Sequence, residues 1–334
     1  MARQPEYLRE GATLSLVAPS CGANAEPYRA KLKASIETLR RLGYKVVEGE
    51  NIFLGEGVIA SNTPEKRAKE FLSAYMRESD AVISVGGGEL MCEILPYIDF
   101  ELIRGAKPKW FMGFSDNTNL TFTLTTLSDL VTIYGPCADQ FGRDPLPSPS
   151  RDALDLLHGR EEFEGYPLWE KESLVSEENP LAPMNLTEPK VITPVNYKGA
   201  FKGILLGGCL DCLVTLCGTR FDRVKEYIYS HGPIIWFLES CDLNPVSIRR
   251  SLFQLKEAGW FNTARGFVIG RPLHFDEEMA GVDRFVAVRG VLEELHLPIL
   301  MDADLGHLPP AIPLKCGAEA EVELVDGNIH IRYI

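Results

Sequence analysis

Short β-rich apolar runs alternate with helical patterns in the first part of the chain, and this alternation limits the possible folds more than any other feature of the sequence. The runs at 13–18, 44–47, 81–85 and 109–113 predict strands, and the stretches between them repeat apolar residues at helical spacing. Strands that alternate with helices form parallel sheets covered by helices. We therefore expect an α/β fold with a doubly wound parallel sheet in the amino-terminal domain.

The alternation stops between residues 142 and 197, where prolines occur too often for a long helix. It resumes with predicted strands at 203–206, 234–238 and 266–269, and the chain ends in a hairpin whose turn is Asp326-Gly327. The sequence thus predicts an amino-terminal α/β domain over 1–160, a linker or lid over 161–198, and a mixed α/β carboxy-terminal domain over 199–334.

The charge and cysteine content exclude several classes of protein. The chain of 334 residues carries 34 Lys and Arg against 47 Asp and Glu, a formal net charge of −13, which repels nucleic acid and anionic lipid surfaces. No apolar run reaches about 18 residues and the first residues lack a signal-peptide pattern, so we expect a cytoplasmic protein without a membrane segment. The 8 cysteines are expected to be reduced, and Cys209-x-x-Cys212 is a single pair that does not predict a metal site.

The segment Gly113-Phe114-Ser115-Asp116 lies where a predicted strand turns into a helix. A serine in that position exposes its hydroxyl at the sheet edge, as the nucleophile of a hydrolase does. The second glycine of the usual G-x-S-x-G pattern is replaced here by Asn117, and a serine after a strand more often caps a helix. Nucleophile and helix cap are therefore both open interpretations of Ser115.

A serine nucleophile needs a base, and the usual base is a histidine oriented by a carboxylate. Among the 6 histidines, His307 lies in a loop framed by glycine and prolines after a predicted strand. Glu239 follows the most apolar strand of the chain, at the carboxyl end where sites of α/β sheets form. The competing interpretations are a structural His307, and a Glu239 that caps the next helix or pairs with Arg249.

Two glycine clusters, Gly86-Gly87-Gly88 and Gly207-Gly208, follow predicted strands. Neither has the spacing of a dinucleotide-binding loop or a Walker lysine, so a nucleotide cofactor and a dehydrogenase are disfavoured. Backbone N–H groups of such a loop can instead form half of an oxyanion hole, with the N–H of Asp116 as the other half.

Taken together, these segments resemble the LD-carboxypeptidase family of serine peptidases over nearly the whole chain. The segments that carry the resemblance are Val17-Ala18-Pro19-Ser20, Gly86-Gly87, Gly113-Phe114-Ser115-Asp116, Gly207-Gly208, Phe237-Leu238-Glu239 and Leu305-Gly306-His307. The resemblance implies Ser115 as nucleophile, His307 as general base and acid, and Glu239 as the carboxylate that orients His307. It also implies an oxyanion hole from the Gly87 and Asp116 amides, a cleft between the domains, and a homodimer. We expect no metal and no cofactor.

Four further positions, Gly88, Trp169, Gly208 and Cys209, are expected to contact the substrate. The family often has an aromatic residue at the position of Gly88 and an asparagine at that of Cys209, so contacts there are expected to differ. Trp169 is similar to an aromatic residue that stacks on a nucleotide base in the microcin-immunity branch of the family. The alternative is that Trp169 packs the 161–198 segment against a domain.

The expected function is that of a metal-independent serine carboxypeptidase, which hydrolyses an amide near the carboxyl terminus of a murein peptide through an acyl-enzyme. An alternative within the family is a self-immunity peptidase that cleaves peptidyl or aminoacyl nucleotides of the microcin C type. A hypothesis of another class is a non-catalytic α/β protein that binds a small ligand.

Overall fold

Residues 2–334 are described by a computed structural model, which contains two large β-sheets with helices packed on them. The strands are β1 (Thr13–Val17), β2 (Lys45–Glu48), β3 (Ala81–Ser84), β4 (Trp110–Gly113), β5 (Thr132–Tyr134), β6 (Glu162–Glu164), β7 (Leu168–Trp169), β8 (Glu188–Pro189), β9 (Thr193–Val195), β10 (Phe201–Cys209), β11 (Ile234–Glu239), β12 (Ala264–Gly270), β13 (Ile299–Ala303), β14 (Leu314–Cys316), β15 (Glu319–Val325) and β16 (Asn328–Tyr333). The helices are α1 (Tyr28–Arg41), α2 (Pro64–Met76), α3 (Phe100–Gly105), α4 (Thr118–Ser128), α5 (Ser148–Leu157), α6 (Leu210–Leu216), α7 (Val224–His231), α8 (Pro245–Glu257) and α9 (Arg284–Leu292). Within this range, none of the helices combines the length and the apolar character needed to cross a bilayer.

The first sheet has the strand order β14-β5-β4-β3-β1-β2. Its five amino-terminal strands are all parallel, and β14 adds an antiparallel edge next to β5. Because the direction of winding reverses between β1 and β3, the loops that follow neighbouring strands diverge there and leave a crevice at the carboxyl edge of the sheet. The predicted glycine loop follows β3, and the predicted nucleophile follows β4.

The second sheet has the order β6-β16-β15-β10-β11-β12-β13-β9 and is mixed. Strands β10 to β13 are parallel, while the strands on either side of them pair antiparallel. The predicted hairpin is β15–β16, and both Asp326 and Gly327 have the positive φ that a type I′ turn requires. One doubly wound parallel sheet and one mixed sheet confirm the predicted fold class.

Two features of the proline-rich region differ from the sequence expectation. Helix α5 lies where no regular structure was expected, and it tolerates Pro149 because a proline in the first turn lacks only an N–H that has no helical partner. The 161–198 segment contributes β6 to one edge of the second sheet and β9 to the other, with the β7–β8 hairpin between them. This segment is therefore tied to the second sheet at both of its ends.

Aromatic packing joins the two halves of the chain. Phe122 on α4 stacks on Trp260 with ring centroids 5.3 Å apart, and Trp260 stacks on Trp236 of β11 at 5.8 Å. The buried apolar residues of both sheets form one continuous core. This packing fixes the end of β4 relative to the end of β11, and these two strand ends carry the candidate site.

Candidate active site

Ser115 lies on a tight turn between β4 and α4. The turn begins at Gly113, where an added Cβ would lie 2.6 Å from Cγ of Asn117, so a larger residue does not fit. Ser115 has a φ of +63°, a left-handed conformation that few non-glycine residues adopt. A strand, a serine with positive φ and a helix in this order are the features of a nucleophile elbow.

The side chains of His307 and Glu239 form a hydrogen-bonded chain with Ser115. His307 Nε2 is 2.8 Å from Ser115 Oγ, and His307 Nδ1 is 2.8 Å from Glu239 Oε2. The serine follows β4, the glutamate ends β11 and the histidine lies in the loop after β13. The structure thus brings together the three residues that the sequence assigned to nucleophile, orienting acid and base.

The contacts of Glu239 differ from both of its structural interpretations. Helix α8 is capped by Asn244, which accepts the N–H of Ser247 at 2.9 Å, and Arg249 donates to main-chain carbonyls of α9. Glu239 is only 2% exposed, and its Oε1 accepts a hydrogen bond from the hydroxyl of Tyr134 at 2.5 Å. Each carboxylate oxygen therefore has a donor within the site.

Tyr134 is a site residue that the sequence analysis missed. Its hydroxyl accepts the N–H of Ser115 at 3.0 Å while it donates to Glu239, so one oxygen links the nucleophile turn to the acid. The available signal was weak: Tyr134 ends a strand of three residues just before Gly135-Pro136. Only the pairing of β5 with β4 shows that this end of β5 lies beside the serine.

The electrostatics of the buried pair favour a charged histidine and a charged glutamate. Burial alone would raise the pKa of Glu239, but the charge of His307 and hydrogen bonds from His307, Tyr134 and Cys209 hold that pKa below its usual value. Burial alone would lower the pKa of His307, but the Glu239 carboxylate and the neighbouring Cys241 thiol hold that pKa well above its usual value. Glu239 therefore stabilises the imidazolium that forms when His307 accepts a proton.

The backbones of Gly87 and Asp116, the two residues predicted to form the oxyanion hole, lie next to Ser115. A Cβ built on Gly87 would lie 3.3 Å from the Cβ and 3.4 Å from the Oγ of Ser115, so the loop after β3 runs directly beside the hydroxyl. Asp116 is in the first turn of a 3-10 helix (Ser115–Asn117), where N–H groups lack a helical acceptor. Its carboxylate is occupied elsewhere, since it accepts the N–H of Met91 at 2.9 Å and the hydroxyl of Ser20.

The other glycine-cluster residues predicted to contact substrate are packed against the protein. A Cβ on Gly88 would lie 2.3 Å from Oγ of Ser20, so Gly88 lets the loop after β3 approach the loop after β1. A Cβ on Gly208 would lie 2.7 Å from the side chain of Thr118, which also accepts the N–H of Cys209 at 2.9 Å. Gly208 and Cys209 therefore dock the end of β10 on the start of α4, directly behind the nucleophile turn.

Trp169 is buried, with 4% of its surface exposed. Its indole N–H donates to the carbonyl of Pro189 at 3.0 Å, and its ring packs against Phe275 and under the guanidinium of Arg271. In this structure Trp169 has the packing role that the sequence analysis gave as the alternative to base stacking.

Arg271 connects Trp169 to the loop that carries His307. The guanidinium is 1% exposed and donates to Asp304 Oδ1 at 2.7 Å. It also donates to the carbonyls of Leu308 and Pro310, at 3.2 and 3.3 Å. A buried arginine thus holds the His307 loop on both sides of the histidine. No sequence motif predicts this role.

The cysteines have no metal-binding arrangement. Between residues 2 and 334, no group of three or more His, Cys, Asp or Glu side chains is placed to hold a metal ion. Cys209 ends β10 and Cys212 lies in α6, and a hydrogen bond that the Cys209 thiol donates to Cys212, together with burial, raises the pKa of the Cys209 thiol well above its usual value. A nucleophilic cysteine needs a lowered pKa, so the Cys209 thiol is a weaker candidate nucleophile than the Ser115 hydroxyl.

A cavity of about 590 Å³ opens beside His307, a size suited to a small molecule or short peptide. Phe114, Tyr134 and His307 form one part of its lining. The 161–198 segment forms another part, with Glu170, Ser173, Val175, Ser176, Glu177 and Met184. The segment predicted as a linker or lid therefore lines the cavity next to the candidate base.

The sequence matches two family models that together cover most of the chain. Residues 14–135 match the LD-carboxypeptidase N-terminal domain, and residues 202–322 match the LD-carboxypeptidase C-terminal domain. The chain belongs to the LD-carboxypeptidase family. It is accordingly a serine-type carboxypeptidase, as the sequence resemblance predicted.

Curated relatives and solved structures agree with this LD-carboxypeptidase assignment. The chain is 28% identical over 334 residues to a probable murein peptide carboxypeptidase of Bacillus subtilis, covering 98% of this chain and 94% of that protein. It is 27% identical over 311 residues to the microcin C7 self-immunity protein MccF of Escherichia coli, covering 89% and 86%. The fold is similar to that of MccF itself, with a TM-score of 0.85 at 23% identity and 98% of each chain covered. A MccF-like protein from Bacillus anthracis gives a TM-score of 0.83 at 24% identity, with 100% of each chain covered.

Proposed function

We propose that Ser115, His307 and Glu239 are the catalytic triad of this LD-carboxypeptidase and that it removes the terminal residue of a murein peptide. The observation that carries the proposal is the continuous hydrogen-bonded chain from Ser115 Oγ through the His307 ring to Glu239, with 2.8 Å at each step. This is the arrangement in which an imidazole accepts a serine proton while a buried carboxylate fixes its orientation.

Catalysis proceeds through an acyl-enzyme. Ser115 Oγ forms a bond to the scissile carbonyl carbon while its proton passes to His307 Nε2, and Glu239 stabilises the resulting imidazolium. The amides of Gly87 and Asp116 bind the negative oxygen. The C–N bond then breaks as His307 returns the proton to the leaving amine. A water molecule, deprotonated by His307, attacks the ester, and the C–O bond to Ser115 breaks to release the shortened peptide and regenerate the hydroxyl.

A peptidyl or aminoacyl nucleotide is the second candidate substrate. MccF structures include a complex with glutamyl sulfamoyl guanosine, so a protein of similar fold accepts a nucleotide analogue. In this chain Trp169, the residue expected to stack on a base, is buried against Phe275 and Arg271. We therefore rank the murein peptide first.

The location and assembly of the protein belong to the same proposal. The 8 cysteines are free thiols, as proteins of the reducing cytoplasm usually have. The cytoplasmic location is the expectation drawn from the sequence, and the homodimer is the assembly that the family resemblance implies. The mass in solution measured by light scattering tests the dimer.

The test is hydrolysis by purified wild type and Ser115→Ala, with release of D-alanine from a murein tetrapeptide and of nucleotide from an aminoacyl nucleotide as the two readouts. We expect D-alanine release by the wild type, and a rate lower by about 10⁴-fold or more in Ser115→Ala. A fluorophosphonate probe should label the wild type and the control Ser148→Ala but not Ser115→Ala. Labelling that persists in Ser115→Ala contradicts the proposed nucleophile, and tight ligand binding without any hydrolysis favours the non-catalytic alternative.

A further inference from the structure

The cavity beside His307 contains two basic side chains in different electrostatic situations. Lys31 lies in the wall formed by α1 and is paired with the buried carboxylate of Asp139. Arg143 lies in the same lining, but no carboxylate within residues 2–334 approaches its guanidinium to 4.0 Å. The cavity therefore has one neutralised cation and one cation without an acidic partner, in a chain whose formal net charge is −13.

Arg143 is half-buried and is held by one of its donors. Its Nε donates to the carbonyl of Ala182 at 2.7 Å, which ties the 161–198 segment to the first domain. This contact leaves the two terminal nitrogens of the guanidinium without a protein acceptor in the part of the chain that the structure describes. Two parallel N–H donors at the end of an arginine match the two oxygens of a carboxylate or phosphate.

An anionic ligand needs such a cation in order to bind, because the cavity is also lined by acidic residues. Glu170 and Glu177 line the same space, and Glu170 is buried and accepts the N–H of Asn185. These carboxylates and the overall negative charge repel an anion unless a local cation compensates for them. Arg143 is the lining residue that can do so, because Lys31 is already paired with Asp139 and His307 with Glu239.

The position of His307 indicates which part of the substrate occupies this cavity. In the proposed reaction His307 protonates the leaving amine, so the leaving group must lie next to it. His307 lines the same cavity as Arg143. We propose that Arg143 binds the anionic oxygens of the leaving group, which are those of the terminal carboxylate in a peptide or of the phosphate in a nucleotide. This inference rests on the proposed function and adds the determinant of its carboxypeptidase specificity.

The test compares substrates that differ only in this anionic group. One pair is a murein-type peptide ending in a free carboxylate and the same peptide ending in a carboxamide. The other pair is an aminoacyl nucleotide and an analogue without the phosphate. In one of the two pairs, we expect wild type to prefer the anionic substrate over its neutral counterpart by about 10- to 100-fold in kcat/KM. This is the range for a hydrogen bond to a charged group. Arg143→Gln should lose most of that preference while its rate on the neutral member stays within about threefold of wild type.

The controls separate binding of the anion from support of the 161–198 segment. Arg151→Gln, on the exposed face of α5, should keep the preference, and Arg143→Lys should restore part of it because it keeps the charge. Fluorophosphonate labelling of Ser115 should proceed at the wild-type rate in Arg143→Gln. An unchanged preference in Arg143→Gln, or an equal loss on both members of the pair, overturns the inference and leaves the proposed function standing. Hydrolysis of none of the four substrates by wild type overturns the proposed function and this inference with it.

Discussion

The two halves of the candidate site are held in place by different kinds of interaction. The nucleophile turn is fixed by its backbone geometry and by neutral hydrogen bonds: Gly113 allows the tight bend, and the Asn117 side chain donates to the carbonyls of Phe114 and Gly86 at 2.9 and 3.0 Å. One of these hydrogen bonds joins residues three positions apart, and the other reaches Gly86 in the loop after β3. The serine is thus positioned by the backbone of its own turn together with neutral hydrogen bonds to Gly86 and Tyr134.

The acid–base half depends on buried charges that are distant in sequence. Arg271, directly after strand β12, holds the loop around His307, and Glu239 bonds His307 across 68 sequence positions. Removing one member of such a buried set leaves another charge unpaired, which costs more than losing a neutral hydrogen bond. The difference teaches that the nucleophile half depends on backbone geometry and neutral hydrogen bonds, whereas the acid–base half depends on buried charged groups that are distant in sequence.

The largest expected loss of activity follows from removing Ser115 or His307. It tests whether the two halves of the site act as one catalytic unit. Ser115→Ala and His307→Ala should each lower kcat by about 10⁴-fold or more, because proton transfer needs both groups. The double variant should be no slower than the slower single variant. The measurement is single-turnover hydrolysis with the same peptide for all three variants. Rate losses that multiply in the double variant would show that the residues act independently and would break the proposed triad.

The next largest expected loss of activity concerns Tyr134, whose hydroxyl is hydrogen-bonded both to the nucleophile turn and to Glu239. Tyr134→Phe removes the hydroxyl that accepts from the Ser115 N–H and donates to Glu239, so we expect kcat to fall by about 10- to 100-fold with little change in KM. The rate is measured by steady-state kinetics on the same peptide, and circular dichroism reports whether the fold is retained.

Tyr227→Phe is the matched control, because Tyr227 is also buried and its hydroxyl has no hydrogen-bond partner within residues 2–334. The control should keep the wild-type kcat. Equal losses in the two variants would mean that Tyr134 acts only through packing, and the proposed link between nucleophile and acid would be wrong.

The same contrast explains what the sequence could predict. The turn around Ser115 is readable because its requirements fall on contiguous residues, and the alternation of strands and helices predicts the sheet that presents it. The pairing of Glu239 with His307 emerged from a family resemblance, since no local pattern reports contacts across 68 positions. Tyr134 and Arg271 had no motif at all, because their roles depend on which strands become neighbours and on which carbonyls a folded loop exposes.

In the 161–198 segment, the proline-rich composition did not reveal the short strands that the structure contains. Its prolines correctly exclude a long helix, but strands of two or three residues leave no periodic signal, so β6 and β9 were not foreseen. The sequence likewise left the burial of Trp169 undecided, because the packing of Arg271 and Phe275 against its ring depends on the folded structure. Arg143 escaped notice because its partner is a carbonyl of that segment, not an acidic side chain.

The smallest expected effect is a shift of the pH profile. It tests which groups near His307 raise its pKa. The base must be neutral to accept a proton, and Glu239 and Cys241 hold the pKa of His307 above its usual value, so kcat/KM should fall as the pH drops through that raised pKa. Cys241→Ala removes one of the two groups that favour the protonated ring. The acidic limb of the pH profile should therefore move to lower pH, and by less than in Glu239→Gln, which removes the carboxylate charge. Cys217→Ala, which changes a thiol away from the histidine, should leave the limb in place. A shift to higher pH in Cys241→Ala would mean that the thiol opposes protonation of His307, and the buried carboxylate alone would then account for the raised pKa.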